Sequence, residues 1–475
     1  MNKDTKQIAS RRNFLKNSGR IAVASSLAGV SVPRVHAGEN NMIQLALIGC
    51  GARGTGAAAN ALMVNQGPVK LVAMADVFPN RIESSLKYLK RGIQASWDRT
   101  TSAGLGDHID VPAERRFGGF DGYQKAMDCL KPGDIAIFAT PPAFRWAQFG
   151  YALQKDLNVF MEKPLASDGP TARRMLKQAD ESVAKNLKVG VGLMSRHARP
   201  LQQLHQRIQD GEIGDIILMR AYRLIGPLAT AFSTKWPGTP SELLWQIKRF
   251  HSFIWASGGC FNDFYIHVID HCCWMKNAWP VKVQAVGGRH YRSSVDDEPY
   301  VDQNFDTYSA EYTFADGTKL MVDGRCMTGC YQTHSSYAHG TKGSAVISKS
   351  GDCGPPSSTY KSQTLKRSDM IWKSKAVPGQ LSPYNNEWND LVDAIRSDKP
   401  YNEVRSGVEA SVVSNMGRKA AHTGRVVTFD EMLNCEQEYA PGVDKFTMDS
   451  PAPVQAGPDG KYPVPQPGII TKREY

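Results

Sequence analysis

The stretch "LALIGCGARGTG" at Leu45–Gly56 decides how this chain is read. The apolar run Ile43–Ile48 predicts a buried strand, and Gly49, Gly51 and Gly54 follow it with the spacing GxGxxG. Each glycine answers a separate steric demand. Gly49 permits the tight turn, Gly51 lets the backbone approach a pyrophosphate, and Gly54 lets the next helix, through Ala57–Met63, pack closely. The N-terminus of that helix, with Ala52 and Arg53 beside it, then faces phosphate charge. "VKLVAMADV" supplies a second strand ending at Asp76, where a carboxylate accepts hydrogen bonds from an adenosine ribose. That carboxylate favours NAD and repels the extra phosphate of NADP, while Arg53 and Arg81 are the cations able to offset the repulsion.

Further strand and helix units follow without an internal repeat. "DIAIFATPP" at Asp134–Pro142 is a strand running into a stiff turn, and "NVFMEKPLA" at Asn158–Ala166 is another. "LKVGVGLMSRH" at Leu187–His197 closes the first domain. An open α/β sheet gathers ligands beyond the carboxyl ends of its strands. That rule assigns Thr140, Pro141, Glu162, Lys163 and Arg196 to the nucleotide, and Lys163 and His197 to the substrate.

The second half changes character. "GDIILMRAYRL", "VKVQAVGGRH", "DTYSAEYTFADGTKLMVDGRC" and "GSAVISKS" are short alternating runs with an Asp-Gly turn, as an antiparallel sheet requires. The fold class is therefore α/β: a Rossmann domain at 41–197, then an α+β domain at 198–430 with a large open, mostly antiparallel sheet. "NNEWNDLVDAIRS" and "SGVEASVVSNMGRKAAHTG" read as late helices that pack back on the first domain. The Pro-rich tail, 431–475, reads as an extended surface wrap or a flexible end. A sheet with an open apolar face invites association of copies through it.

The N-terminus is set apart from the fold. "SRRNFLKNSGRIAVASSLAG" at Ser10–Gly29 joins tandem arginines to a mild apolar run, and "VHA" at Val35–Ala37 ends on a small residue, as an export signal over 1–37 would. Arg11 and Arg12 before Phe14, Leu15 and Lys16 resemble the twin-arginine signal, whose machinery carries folded proteins. An exported enzyme meets little free nucleotide, so NAD is expected to travel as a tightly held group. The run Ile21–Val32 is too short for a membrane span. Residues 1–37 hold seven basic side chains and one acidic, so the leader owns six of the eleven net positive charges. No basic run remains that is dense enough for a nucleic-acid surface. Nine cysteines without a repeated CxxC pattern argue against a disulfide framework or zinc cluster.

"GGCFNDFYIHVIDHCCW" at Gly258–Trp274 holds the second chemical signal. On a helix Asp263 and His267 lie one turn apart on one face, with Asp270 and His271 a further turn on. A carboxylate so placed orients an imidazole that moves a proton near neutral pH. The same spacing also suits a hydrogen bond within a packed helix, and the pattern lacks the HExxH spacing of a metal site.

Four ordered signals carry a resemblance: "GCGARG", "EKP" at Glu162–Pro164, the Asp263/His267 helix, and "NDLVDAIRSDKPYNEVRSG". On them the chain resembles, over approximately Asn41–Glu431, the Gfo/Idh/MocA oxidoreductase family. The resemblance implies hydride transfer between a nicotinamide and a carbohydrate or cyclitol hydroxyl, in a homodimer or homotetramer. It implies that Lys163 contacts substrate and aligns the reacting carbon, that His267 is the acid/base, and that Asp263 supports the sugar or His267. The chain departs from the common pattern after Thr140: many relatives carry Asn followed shortly by His, and this one reads "TPPAFRW", with Ala143, Arg145 and Trp146. The Trp-rich segment Tyr222–Gly259 resembles longer secreted relatives, and Trp236 and Trp245 offer flat faces for sugar rings. An alternative is an NAD-dependent glycosidase of the same superfamily, which oxidises C3, eliminates the leaving sugar, adds water and reduces the ketone. That route needs another acid/base, for which His197, Tyr265 and His334 are candidates. A noncatalytic sugar-binding protein is the third reading.

Overall fold

The computed structural model describes residues 41–92, 104–290, 293–294, 296–349, 351, 356–375 and 382–475. The leader read at 1–37 lies outside them.

Strand β1 (Ile43–Ile48) is buried along almost its whole length, as a central parallel strand covered on both faces must be. It pairs in parallel with β2 (Val69–Asp76) on one side. Beyond β2 lies β3 (Arg116–Gly118), and on the other side of β1 come β4 (Ile135–Phe138), β5 (Asn158–Met161) and β6 (Val189–Val191). The order β3-β2-β1-β4-β5-β6 reverses between β1 and β4, which opens a crevice at their carboxyl ends. The first expected domain is thus a six-stranded parallel Rossmann sheet.

The second sheet has nine strands: β7 (Ile216–Ile225), β8 (Lys282–Gly288), β9 (Thr307–Thr313), β10 (Lys319–Cys326), β11 (Thr333–Gly340), β12 (Ser344–Ser348), β13 (Ser358–Tyr360), β14 (Met370–Lys373) and β15 (Val427–Thr428). Their order is β14-β13-β12-β11-β7-β10-β9-β8-β15, and the β7/β10 pair alone is parallel. Tyr308, Ala310, Tyr312, Leu320 and Val322 point into the core, toward the helices Gly259–Lys276 and Val404–Thr423. The opposite face is mixed: Glu311, Lys319 and Asp323 share it with Leu224, Met321 and Val286, the last 71% exposed. Glu311 accepts from Lys319 at 2.8 Å and Asp323 from Ser309 at 2.8 Å, so cross-strand polar pairs stand among the apolar side chains of the open face.

Of the late helices, Pro383–Arg396 packs on the first sheet, while Val404–Thr423 lies mainly against the second. Ser382 caps the Pro383–Arg396 helix through Asn385 N–H, and Trp388 stacks on Phe160 of β5 with ring centroids 4.4 Å apart. The tail is a wrap and not a loose end. It folds with the long connection after β7 into a third apolar cluster around Trp245, Phe253, Trp255 and Tyr462. Near its end, Glu474 is fully buried in an ion pair with Arg418 at 2.9 Å, and it accepts from the Tyr439 hydroxyl at 2.8 Å. Among the described residues no helix is long and apolar enough to cross a membrane.

Candidate active site

The glycine turn works as steric necessity demands. Gly49 has φ +93°, and a Cβ there would sit 2.6 Å from the Ala139 carbonyl carbon. A Cβ on Gly54 would lie 1.9 Å from the Gly49 oxygen, whereas one on Gly51 meets nothing within 4 Å. The backbone at Gly51 is therefore open to a cavity of about 440 Å³. Ala52, Arg53, Asp76, Arg81, Thr140, Pro141, Glu162, Lys163, Asp263 and His267 line the same cavity. Asp76 accepts from Cys50 N–H at 2.7 Å and Phe78 N–H at 2.9 Å, which hold its carboxylate at the tip of β2. Burial raises its pKa, while the Phe78 N–H and the Arg81 charge oppose that rise. Open backbone at Gly51, an acid at the strand tip and a cation at Arg53 together fit a dinucleotide.

Across the cleft, two left-handed glycines, Gly258 and Gly259, launch the Gly259–Lys276 helix. Asn304 accepts from Cys260 N–H at 3.0 Å, and Asn262 donates to the Ala166 carbonyl at 3.1 Å, three residues past Lys163. These bonds dock the helix start on the loop after β5. As a result Lys163 Nζ donates to the Asp263 carbonyl oxygen at 2.6 Å and lies 3.6 Å from its carboxylate. His251 Nε2 approaches the same carboxylate at 3.3 Å. Burial works to raise the Asp263 pKa, but Lys163, then His251 and His267, hold it well below the usual carboxylate range. His267, one turn on, faces the cavity with 7% of its surface exposed.

Four other sequence-based assignments are corrected. Arg196 turns away from the nucleotide cavity into a two-toothed pair with Asp270 (2.7 and 3.0 Å), beside the Trp274 ring. Asp270 therefore does not orient His267. His197 is buried between Asp390 at 2.8 Å and Glu403 at 3.0 Å and reaches no cavity wall. Trp245 stacks on Tyr462 inside the third cluster, and Trp236 packs against that cluster with its indole N–H on the Pro240 carbonyl at 2.9 Å. The physical reason is common to all four. A buried cation needs a carboxylate and a large indole needs apolar cover, and both were supplied by chain far away in sequence. Of the proposed second acid/base groups, Tyr265 is fully buried against Cys326 and His334 sits on β11 beside Arg223. His271 lies in the core near Ser336. No cluster of three potential metal ligands occurs among the described residues.

Several cavity residues carried no sequence signal. His251 lies in the nonperiodic connection after β7, Tyr384 stacks its ring under the Arg53 guanidinium at 4.7 Å, and Phe446 comes from the tail. Phe446 joins Phe120, Phe144 and Trp255 in an edge-to-face cluster that closes one wall. Only capping residues and aromatic content marked these segments, and neither specifies a cleft.

A Rossmann sheet, a nine-stranded open sheet and a cleft between them define a two-lobed fold whose glycine turn opens into the cavity. Residues 201–346 match the GFO/IDH/MocA C-terminal domain. The chain is 27% identical over 119 residues to inositol 2-dehydrogenase 1 of Paenarthrobacter aurescens (strain TC1), covering 23% of this chain and 35% of that protein. The curated relatives it matches are covered over 35% to 48% of their length. Its fold is that of the aldose-aldose oxidoreductase from Caulobacter crescentus (TM-score 0.57, 14% identity, 82% of this chain and 99% of that one). It is also that of the scyllo-inositol dehydrogenase from Lactobacillus casei with bound NAD(H) and scyllo-inositol (TM-score 0.56, 20% identity, 82% and 99%). Residues 201–346 are thus similar to the GFO/IDH/MocA C-terminal domain, and the chain shares the fold of these two structures.

Proposed function

We propose that the protein oxidises a secondary hydroxyl of a carbohydrate or cyclitol at NAD held by the Gly49–Gly54 turn. The observation that carries this reading is the convergence of Lys163, Asp263 and His267 on the cavity that the glycine turn opens into. Bound there, the nicotinamide supplies the hydride acceptor. His267 takes the hydroxyl proton as the carbinol carbon gives up its hydride, and Lys163 positions and stabilises the oxygen. Asp263 keeps the ammonium in place through its carbonyl and its carboxylate. The Phe446 wall and the helix Gly259–Lys276 keep water from the reacting atoms.

NAD is favoured over NADP because the Asp76 carboxylate stands where an added phosphate would be repelled. With a leader of twin-arginine type, the nucleotide is carried out bound, and the hydride returns to a second carbonyl compound. A redox-neutral cleavage of a glycoside is the second reading, and His251 favours it by placing another imidazole in the cleft. Denaturing the purified protein and identifying the released nucleotide tests the first part. NADP as the main species overturns the Asp76 assignment, and no nucleotide at all overturns the carried cofactor. Screening sugars and polyols for reduction of the bound nicotinamide, followed by near-ultraviolet absorbance, tests the second. Lasting reduction reversed by a ketose or aldose supports oxidoreduction, and free sugar without net redox supports cleavage. Binding with neither leaves only a sugar-binding protein.

A further inference from the structure

Arg145 opens the helix Arg145–Gln154 beyond β4, lines the active cavity, and is 1% exposed. Its Nη2 donates to the Thr140 carbonyl oxygen, while Nε and Nη1 are buried without any hydrogen-bond partner. No carboxylate lies within ion-pair distance of it among the described residues. The two acids whose charge reaches it, Glu162 and Asp263, are already engaged: Arg53 holds Glu162 at 3.0 Å, and Lys163 lies 3.6 Å from Asp263. Burial draws the guanidinium down to about 10, with Glu162 and then Asp263 opposing, so it is cationic at neutral pH. Folding thus buries a cation with unused donors at the wall of a ligand cavity, an arrangement that costs stability unless an anion arrives.

We infer that Arg145 reads a carboxylate on the substrate, so that the protein acts on an acidic sugar or polyol of the aldonate or uronate class. This rests on the hydride-transfer reading above and narrows its substrate. Three features select the ligand. Arg145 stands on the β4 side of the switch point, with Lys163, Asp263 and His267, whereas the nucleotide phosphates belong to the turn after β1, which has Arg53. A single uncompensated positive charge matches a carboxylate monoanion better than a phosphate monoester, which carries nearly two negative charges at neutral pH. The planar guanidinium with unused N–H groups suits a planar carboxylate.

The test uses the full chain with its own nucleotide. Binding by calorimetry and reduction of the bound nicotinamide are measured with glucuronate, gluconate, galacturonate, glucose, inositol and glucose 6-phosphate, for the natural protein and for Arg145→Gln and Arg145→Lys. At least one acid is expected to bind about tenfold or more tighter than its neutral counterpart. Arg145→Gln should erase that preference, and Arg145→Lys should restore part of it. No acid preference, a stronger preference for the sugar phosphate, or an acid-to-neutral ratio unchanged in Arg145→Gln overturns the inference. Thermal melting and nucleotide content are recorded for each variant. Loss of nucleotide or of melting temperature with the ratio unchanged makes Arg145 a structural or phosphate-binding cation, and also overturns it. An acid that binds through Arg145 but never reduces the nicotinamide overturns the hydride-transfer reading and leaves the carboxylate site standing. Reduction by neutral sugars with no acid preference does the reverse.

Discussion

His267 and Asp263 share one face of a helix whose other faces are all packed, so neither side chain can swing to a different partner without breaking the core. Replacing His267 by Asn should slow substrate-driven reduction of the bound nicotinamide by roughly a hundred- to ten-thousand-fold, the range for a positioned proton-transfer group. Nucleotide content, measured after denaturation, should stay at the natural level because His267 stands on the Gly259–Lys276 helix and not on the glycine turn. His197 makes the contrasting case. Burial alone would lower its pKa, but Glu403 and Asp390 outweigh burial and raise it to about 10. A raised pKa means that the folded state holds the proton more tightly than the unfolded chain, near 6.5. The stabilisation is complete below about pH 6.5 and is lost as pH rises through about 10. Urea unfolding across that window should show stability falling with pH, and His197→Gln should flatten the slope while lowering stability at its acidic end. An unchanged slope in the variant would move the effect to another group.

The tail is the element whose behaviour sequence composition conveys least. Its prolines exclude helix and sheet, yet it buries Tyr439, Val443, Ala452, Val454 and Tyr462 and ends in the Glu474–Arg418 pair. Breaking that pair leaves an uncompensated buried guanidinium, so Glu474→Gln should cost about 3–5 kcal/mol in chemical unfolding. Burial works to raise the Glu474 pKa, but Arg418 and then His422 hold it well below the usual range. That contribution is fully present above about pH 4.3 and disappears as pH falls through the lower folded value. Acid unfolding of the natural protein should therefore begin at lower pH than that of Glu474→Gln. Coincident acid transitions would show that the tail pair does not limit acid stability. Because Phe446 belongs to the same tail, its loosening also opens the cleft wall.

At the scale of the molecule, the nine-stranded sheet offers a broad open face that carries cross-strand charges, and copies would join through it. Arg220 lies over the Tyr337 ring at 4.9 Å on that sheet, and Lys319, Glu311, Asp323 and Arg325 stand nearby. Assembly through this face should weaken as salt screens it. Light scattering is expected to find a dimer or tetramer at low ionic strength that shifts toward monomer as salt rises. Monomers at every salt and protein concentration would remove the assembly proposal.

The Rossmann half was legible because its signals are local: a buried apolar strand, three glycines under separate steric demands, and an acid at the next strand's tip all lie within Ile43–Asp76. The helical spacing of Asp263 and His267 was legible for the same reason, since one turn is a property of adjacent chain. Placing Lys163 against Asp263 needed the Asn262–Ala166 and Asn304–Cys260 bonds, which no spacing encodes. Arg196 and Arg145 look alike in sequence, each a cation just beyond a parallel strand. Tertiary structure separated them, by bringing Asp270 to neutralise one and leaving the other buried at the cavity with donors to spare. By itself the sequence determined the first parallel strands, the Asp263/His267 helix and where the glycine turn lies, because those depend on neighbours along the chain. Only the tertiary structure decided which charges are satisfied inside the protein and which still face a ligand, because a buried charge takes its partner from whatever distant segment packs against it.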